Sequence, residues 1–461
     1  MTYDMVESLP LELLIYLAEF LDLEDIVRSQ RVCKRWRAIF SCSAIITALL
    51  RETLEFLGLN QEGVSIDAAI SDATSYFRWR RCLEHVQPVK KTFLPWPNDG
   101  LHTLSCKLGQ IRYQSRRLCC NITTHYQIFK MLNLETGEKS NPATTVPMAR
   151  KIEHITLSDR YLVMTWPATT FFDYLGAWDL RSNQIVTQQF PIVSLDHGLL
   201  CRPYMVVGDK VIITDCTYWG PSPVYVWDLS SNHVQQIGTG NFSNLRMCHV
   251  NADESVLVAF EIYMKNPPPE ILVRQTKWST TTGQLIEKKI IKLPLPPGPV
   301  VNRCIFQPYR TYGQKTVTQF FFDNGTHNNK PAAMHLEYDY TVDRLNVRWI
   351  REPIFDTVFY DLSACLTPNL VYRFSTMSGQ IAAYNATTGT VTRRSVLCGK
   401  NRAIGARPIL GSILELQREF WSNKPQAVFG DREVFGWTNA NGIQLWIFNP
   451  NFALDIIPDL R

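Results

Sequence analysis

The chain has 461 residues, 45% hydrophobic and 19% charged, and its 47 Lys and Arg against 42 Asp and Glu leave a formal charge of +5. That length suits two or three domains, the apolar content excludes wholesale disorder, and so small a charge gives no sign of a polyanion held by bulk electrostatics. Neither a leader nor a membrane span is expected: Met1 to Glu7 carries Asp4 and Glu7 but no Lys or Arg, and the longest apolar run, Leu13 to Leu21, is interrupted by Glu19.

From Leu9 to about Val86 the apolar residues recur at helical spacing. Leu13, Leu14, Leu17 and Leu21 are expected on one face of the first helix. Asp22 is placed to cap a second, with Asp25 at its third position, and a third surrounds Val32, Cys33, Trp36 and Ile39. Ser43 opens a fourth segment, Ala44 to Leu57, which Gly58 ends by adopting a left-handed conformation cheaply. Ser65 opens a fifth, with Ile66, Ala69, Ile70, Ala73, Phe77 and Leu83 as its stripe.

After Pro88 the vocabulary changes to short Val, Ile, Thr, Tyr, Phe and Trp runs broken by Gly, Pro, Asn and Asp, which reads as strands and turns. A repeat runs through it: MLNLETG at Met131, AWDLRSN at Ala177, VWDLSSN at Val226, KWSTTTG at Lys277, EYDYTVD at Glu337, AYNATTG at Ala383 and GWTNANG at Gly436. A large residue (Leu132, Trp178, Trp227, Trp278, Tyr338, Tyr384, Trp437) is followed five positions later by Gly137, Asn183, Asn232, Gly283, Asp343, Gly389 or Gly442. Those types tolerate the positive φ that closes a tight hairpin. The anchors are 46, 49, 51, 60, 46 and 53 residues apart, near the period of a four-stranded propeller blade, and suggest seven blades, with six or eight also open. The expected organisation is multidomain, α plus all-β: a helical module at 5–50, a helical linker at 51–88, and a β-propeller at 90–461.

Two WDL tripeptides, at Trp178 and Trp227, resemble the third strands of WD-repeat blades. The segment LPLELL (Leu9 to Leu14) followed by FLDLEDIVRSQRVCKRWRAIF (Phe20 to Phe40) resembles an F-box. Independently of that likeness, 19 of the 32 residues from Leu9 to Phe40 are hydrophobic, more than three short helices can hide among themselves. The surplus is covered either by the rest of the chain or by a partner. The F-box resemblance implies a Skp-type adaptor of an SCF ubiquitin ligase, and through it a cullin and a RING subunit. It implies Leu9, Pro10, Leu13, Leu14, Leu17, Leu21, Val32, Cys33 and Trp36 as adaptor-binding residues, shared in unresolved proportion between core and interface. The basic run Arg28, Arg31, Lys34, Arg35 and Arg37 is read as a solvated helical face or a complement to an acidic adaptor.

Enzyme motifs are missing. No HExxH, GxSxG, Walker loop or GxGxxG occurs, Gly238-Thr-Gly240 lacks a third glycine, and the 9 His form no i, i+4 pair. No catalytic residue, metal or cofactor is expected, and Asp179 and Asp228 are read as turn residues. The function that follows is a substrate receptor: helices hold the ligase while the propeller holds a target protein, itself unidentified and phosphorylated if Arg116-Arg117 or Arg393-Arg394 read it. The alternatives are an F-box scaffold without a role in degradation and a propeller enzyme with a metal in its central channel. An intracellular setting, cytoplasm or nucleus, is expected, so the 12 Cys read as reduced buried thiols.

Overall fold

The computed structural model describes residues 9–95 apart from 20, 22 and 60–63, and, between 107 and 452, the strands named below with turns adjoining them. Six helices come first: α1 (Leu11–Glu19), α2 (Leu23–Ser29), α3 (Lys34–Phe40), α4 (Ser43–Phe56), α5 (Ile66–Ile70) and α6 (Ala73–Glu84). Asp22 lies outside the described residues. Three expectations need correction. Val32 and Cys33 precede α3 instead of lying on it, and the Cys33 Sγ caps the helix by accepting from the Trp36 N–H at 3.3 Å. Ser43 is the first residue of α4, not its cap; extended Cys42 holds that place. The stripe from Ile66 to Leu83 breaks in two, because the Ser71 hydroxyl turns back to the Ala68 carbonyl at 2.9 Å and Asp72 becomes the N-cap of α6. The end of α4 is as expected: Gly58 has φ of 73°, Gly58 N–H donates to the Glu55 carbonyl at 3.0 Å and Leu59 N–H to the Leu54 carbonyl at 2.8 Å.

Strand β1 (Lys90–Pro95) follows α6, and the other strands come in fours. They are β2 to β5 (Lys107–Gln114, Arg117–Thr123, Ile128–Asn133, Lys139–Ser140), β6 to β9 (His154–Leu157, Tyr161–Pro167, Phe172–Asp179, Ile185–Pro191) and β10 to β13 (Cys201–Val207, Lys210–Asp215, Ser222–Asp228, His233–Gly240). Next come β14 to β17 (Leu245–Val250, Val256–Lys265, Glu270–Ser279, Leu285–Leu293) and a group of five, β18 to β22 (Arg303–Phe306, Arg310–Tyr312, Lys315–Asp323, Ala332–Asp339, Arg344–Ile350). The last are β23 to β26 (Asp361–Thr367, Leu370–Ser375, Gln380–Asn385, Val391–Ser395) and β27 to β29 (Ala427–Gly430, Val434–Thr438, Gly442–Ile447). The described strands form seven antiparallel sheets in chain order, with two departures: β18 and β19 both pair with β20, and β1 completes the last sheet by pairing with β29, Lys90 opposite Ile447 and Pro95 opposite Gly442.

Neighbouring sheets touch in succession: β2 meets β6, β6 meets β10, β13 meets β16, β14 meets β20, Val317 packs with Cys365 and Val371, β23 meets β27, and β27 meets β2. The circuit closes, so the fold is a β-propeller sealed by a strand from the helical end of the chain. Radial stacking buries both faces of each sheet and shelters most strand edges.

The repeat anchors Trp178, Trp227, Trp278, Tyr338 and Tyr384 are buried on the third strand of their sheets. Asn232, Gly283, Asp343 and Gly389 adopt the left-handed φ expected of them, at 53°, 71°, 47° and 72°. Gly137 and Asn183 lie outside the described residues. The seventh anchor is corrected. Trp437 is on β28, a second strand, and the equivalent place belongs to Trp446, opposite Phe435 as Trp227 is opposite Val211. Gly442 is not left-handed but begins β29, where an added Cβ would come within 2.3 Å of the Leu94 carbonyl oxygen; the glycine lets β1 approach.

Candidate protein-docking surface

Successive helical residues are about 100° apart, so Leu13 and Leu14 cannot share a direction. Leu14 and Ala18 are 6% and 1% exposed and pack toward α4, whereas Leu13 and Leu17 stay 48% and 43% exposed on another side, with Leu11 and Tyr16 also open. The single face expected for Leu13, Leu14, Leu17 and Leu21 is therefore corrected to two. Pro10 is exposed and starts α1, its carbonyl accepting from Leu14 N–H at 3.0 Å. Leu9, Leu21 and Trp36 are half-buried against the core, with the Trp36 ring 5.9 Å from that of Phe40. Val32 is 62% exposed and Cys33 is exposed beside it. Of the nine expected residues, Leu14 is core, Leu9, Leu21 and Trp36 bridge, and Pro10, Leu13, Leu17, Val32 and Cys33 face outward. Leu11 and Tyr16 were missed, although Leu13, Tyr16 and Leu17 show the i, i+3, i+4 signal.

Behind this surface the helices are not a separate unit. Leu14, Ile26, Phe40, Ile45, Leu54, Phe77 and Leu83 share one buried cluster with Tyr372, Phe435, Trp446 and Phe448 of the sheets. Polar contacts fasten the junction: Trp79 Nε1 donates to the Arg432 carbonyl at 2.6 Å, Arg394 Nη1 to the Val86 carbonyl at 2.8 Å, and the Tyr372 hydroxyl to the Leu83 carbonyl. Arg80 of α6, over the Phe56 ring at 5.0 Å, ties α6 to α4 through Glu52 at 2.8 Å and is held within α6 by Glu84 at 3.4 Å.

The basic run is exposed as a group, with Arg28 3.7 Å from Asp25 and Arg37 Nε donating to the Gln30 carbonyl at 3.3 Å. Arg393 and Arg394 are adjacent on β26 and so lie on opposite sides of the strand, which removes them as a joint phosphate reader. Arg116 lies outside the described residues.

Asp179 and Asp228 are turn residues. Asp179 Oδ1 accepts from the Arg181 and Ser182 N–H groups at 2.8 and 3.3 Å, and Asp228 Oδ1 from those of Ser230 and Ser231 at 2.9 and 3.1 Å. Each also meets a cation, Arg160 and Lys210 respectively, at 3.1 Å. These hydrogen bonds and cations hold both carboxyls below their ordinary range against the opposing effect of burial. Burial pushes His249 and His335 down to about 4, so both are neutral core side chains. Among the described residues no group of three or more His, Cys, Asp or Glu is arranged to hold a metal ion. Cys33, Cys42, Cys82, Cys248 and Cys365 are not in disulfides, but only Cys248 and Cys365 are buried, so the expectation of buried thiols is corrected for the other three. No described helix is long and apolar enough to cross a membrane.

A family model described as F-box-like matches residues 6–47, the span that carries the outward apolar set. No curated protein sequence matches the chain. Among solved structures, the chain is similar to the WD40 domain of SCAP from fission yeast at 8% identity, covering 75% of this chain and 96% of that one with a TM-score of 0.37. It is similar to Kuenenia stuttgartiensis hydrazine synthase at 10% identity, covering 76% and 99% with a TM-score of 0.42. A prolyl endopeptidase is similar at 9% identity, covering 83% of this chain and 52% of that one with a TM-score of 0.43.

Proposed function

We propose that this chain, an F-box protein whose F-box-like domain is followed by a β-propeller, is the substrate-recognition subunit of an SCF-type ubiquitin ligase. In this reading residues 5–50 dock a Skp-type adaptor, 51–88 join them to the ring, and 90–461 bind the target protein, in the cytoplasm or nucleus. The observation that carries it is the outward set Leu13, Tyr16, Leu17 and Val32, left open although α1 already fills its own core with Leu14 and Ala18. Leu13, Tyr16 and Leu17, at i, i+3 and i+4 on α1, form one exposed apolar patch, and such a patch on a folded domain marks a contact site.

The chain then needs no catalytic group of its own. Ubiquitin is transferred by a conjugating enzyme that the RING subunit recruits, and the receptor contributes proximity. Tethering raises the effective concentration of target lysines, and a stiff tether wastes less of it. The core shared by the helices, Tyr372 and Phe448 supports such stiffness. The test is reconstitution: the full chain is co-expressed with the Skp-type adaptor, cullin and RING subunit, and proteins captured through the propeller are assayed for ubiquitination. Co-purification with the adaptor and transfer to a captured protein support the reading. Failure to bind the adaptor overturns it.

A further inference from the structure

Strand β17 is the outermost strand of its sheet, and no described strand pairs with its outer edge. At nine residues, LIEKKIIKL, it is longer than any other described outer strand, and of those nine only Leu293 is buried. Edge strands of that length and apolarity present unpaired N–H and C=O groups that recruit another strand unless something covers them. Its register with β16 slips once, at Lys277/Trp278, after which the sides alternate regularly. One side is internally neutralised: Lys289 bridges Glu287 at 2.8 Å and Asp343 at 3.0 Å. The other carries Lys288, Ile290 and Lys292 in line, with Ile286 just before them; Ile286 and Ile290 are 54% and 65% exposed. Lys292 meets Glu270, while Lys288 has no ion-pair partner among the described residues.

We infer that β17 is a docking edge for an extended segment of a partner protein in which every second residue, the set facing the Ile286 to Lys292 side, is by turns apolar and Asp or Glu. Such a segment adds to the sheet as a further strand, its backbone bonding to the open edge of β17. Its apolar side chains cover Ile286 and Ile290, and its carboxylates meet Lys288 and Lys292, since cross-strand pairs of opposite charge and of apolar residues both stabilise a sheet. The lysines keep the bare edge soluble and select acidic segments over basic ones. This inference stands apart from adaptor docking, which uses α1 on the helical side of the molecule.

The test uses the full chain and fluorescein-labelled decapeptides, read by fluorescence anisotropy: one in which every second residue is by turns Val and Glu with Thr between them, one with Lys for every Glu, and one with two central residues changed to Pro. The Glu/Val peptide is expected to bind saturably, the Pro peptide not at all. The double variant Lys288→Glu/Lys292→Glu should weaken the first by about tenfold or more and turn preference to the Lys/Val peptide. Both positions are exposed, so an unchanged thermal melt separates lost binding from lost fold. No saturable binding up to about 1 mM overturns the inference, as does equal binding by the variant or by the Pro peptide. Self-association of the chain that the double variant abolishes overturns it too, by assigning the edge to a second copy.

Discussion

The division of α1 into two faces makes a sharp distinction between neighbouring leucines. Leu13 and Leu17 retain 48% and 43% of their surface, while Leu14 retains 6%. Complete burial of a leucine side chain is worth about 1.5–3 kcal/mol, so covering the open half of each outward residue contributes about 1 kcal/mol to docking. The double variant Leu13→Ala/Leu17→Ala should therefore weaken adaptor binding by about 2 kcal/mol, about 30-fold in Kd, and leave stability unchanged because alanine suits an exposed helix. Leu14→Ala should do the reverse, costing about 2–5 kcal/mol of stability through the cavity it opens, with the docking face intact. Titration calorimetry against the purified adaptor, beside urea denaturation of each variant, separates the two effects. Binding by the double variant within twofold of the unchanged protein would refute the argument, and so would a Leu14→Ala protein that lost affinity at full stability.

Trp79→Phe removes the donor to the Arg432 carbonyl while keeping most of the buried ring; it should lower stability by about 1–3 kcal/mol, seen as a lower urea midpoint at unchanged slope. An unmoved midpoint would mean that α6 does not dock on the β27–β28 turn. Asp343 accepts from Tyr338 Oη and Gln275 Nε2 at 2.9 Å and meets Lys277 at 2.7 Å, and these contacts hold its carboxyl below the ordinary range although burial acts the other way. A depressed folded-state value means that its contribution is complete above about pH 4, near the unfolded value, and is lost as pH falls below that. Asp343→Asn should flatten the acid limb of a stability-against-pH curve, and an unchanged limb would count against the clamp. Gly389→Ala should cost about 1–2 kcal/mol for its left-handed φ with open space around it, whereas Gly442→Ala should cost more, because its Cβ would meet the Leu94 carbonyl and push β1 off the ring. Thermal melts of the two variants rank them, and equal losses would argue against β1 as the closing strand.

Features that depend on a residue's own chemistry were legible without coordinates. Gly58 ends α4 and Gly389 closes a hairpin because the left-handed conformation is cheap for glycine wherever it occurs. Asp179 and Asp228 cap their turns through hydrogen bonds to N–H groups two and three residues on, a purely local geometry. The order of elements around α1 to α3 was legible for the same reason. Boundaries were less so: Ser43 and Cys42 sit side by side, and only the backbone angles decide which of them caps α4.

Periodicity and turn chemistry thus determined an all-helical beginning, a run of repeated antiparallel sheets, and a surplus of apolar surface on α1. Tertiary structure alone decided which leucines the surplus comprises, because Leu13 and Leu14 are identical in hydrophobicity and differ only in whether α4 lies in front of them. It also decided that Trp446, not Trp437, anchors the last sheet. That sheet is completed by β1, whose pairing with β29 joins segments about 350 residues apart, and no local pattern encodes an edge supplied from so far along the chain.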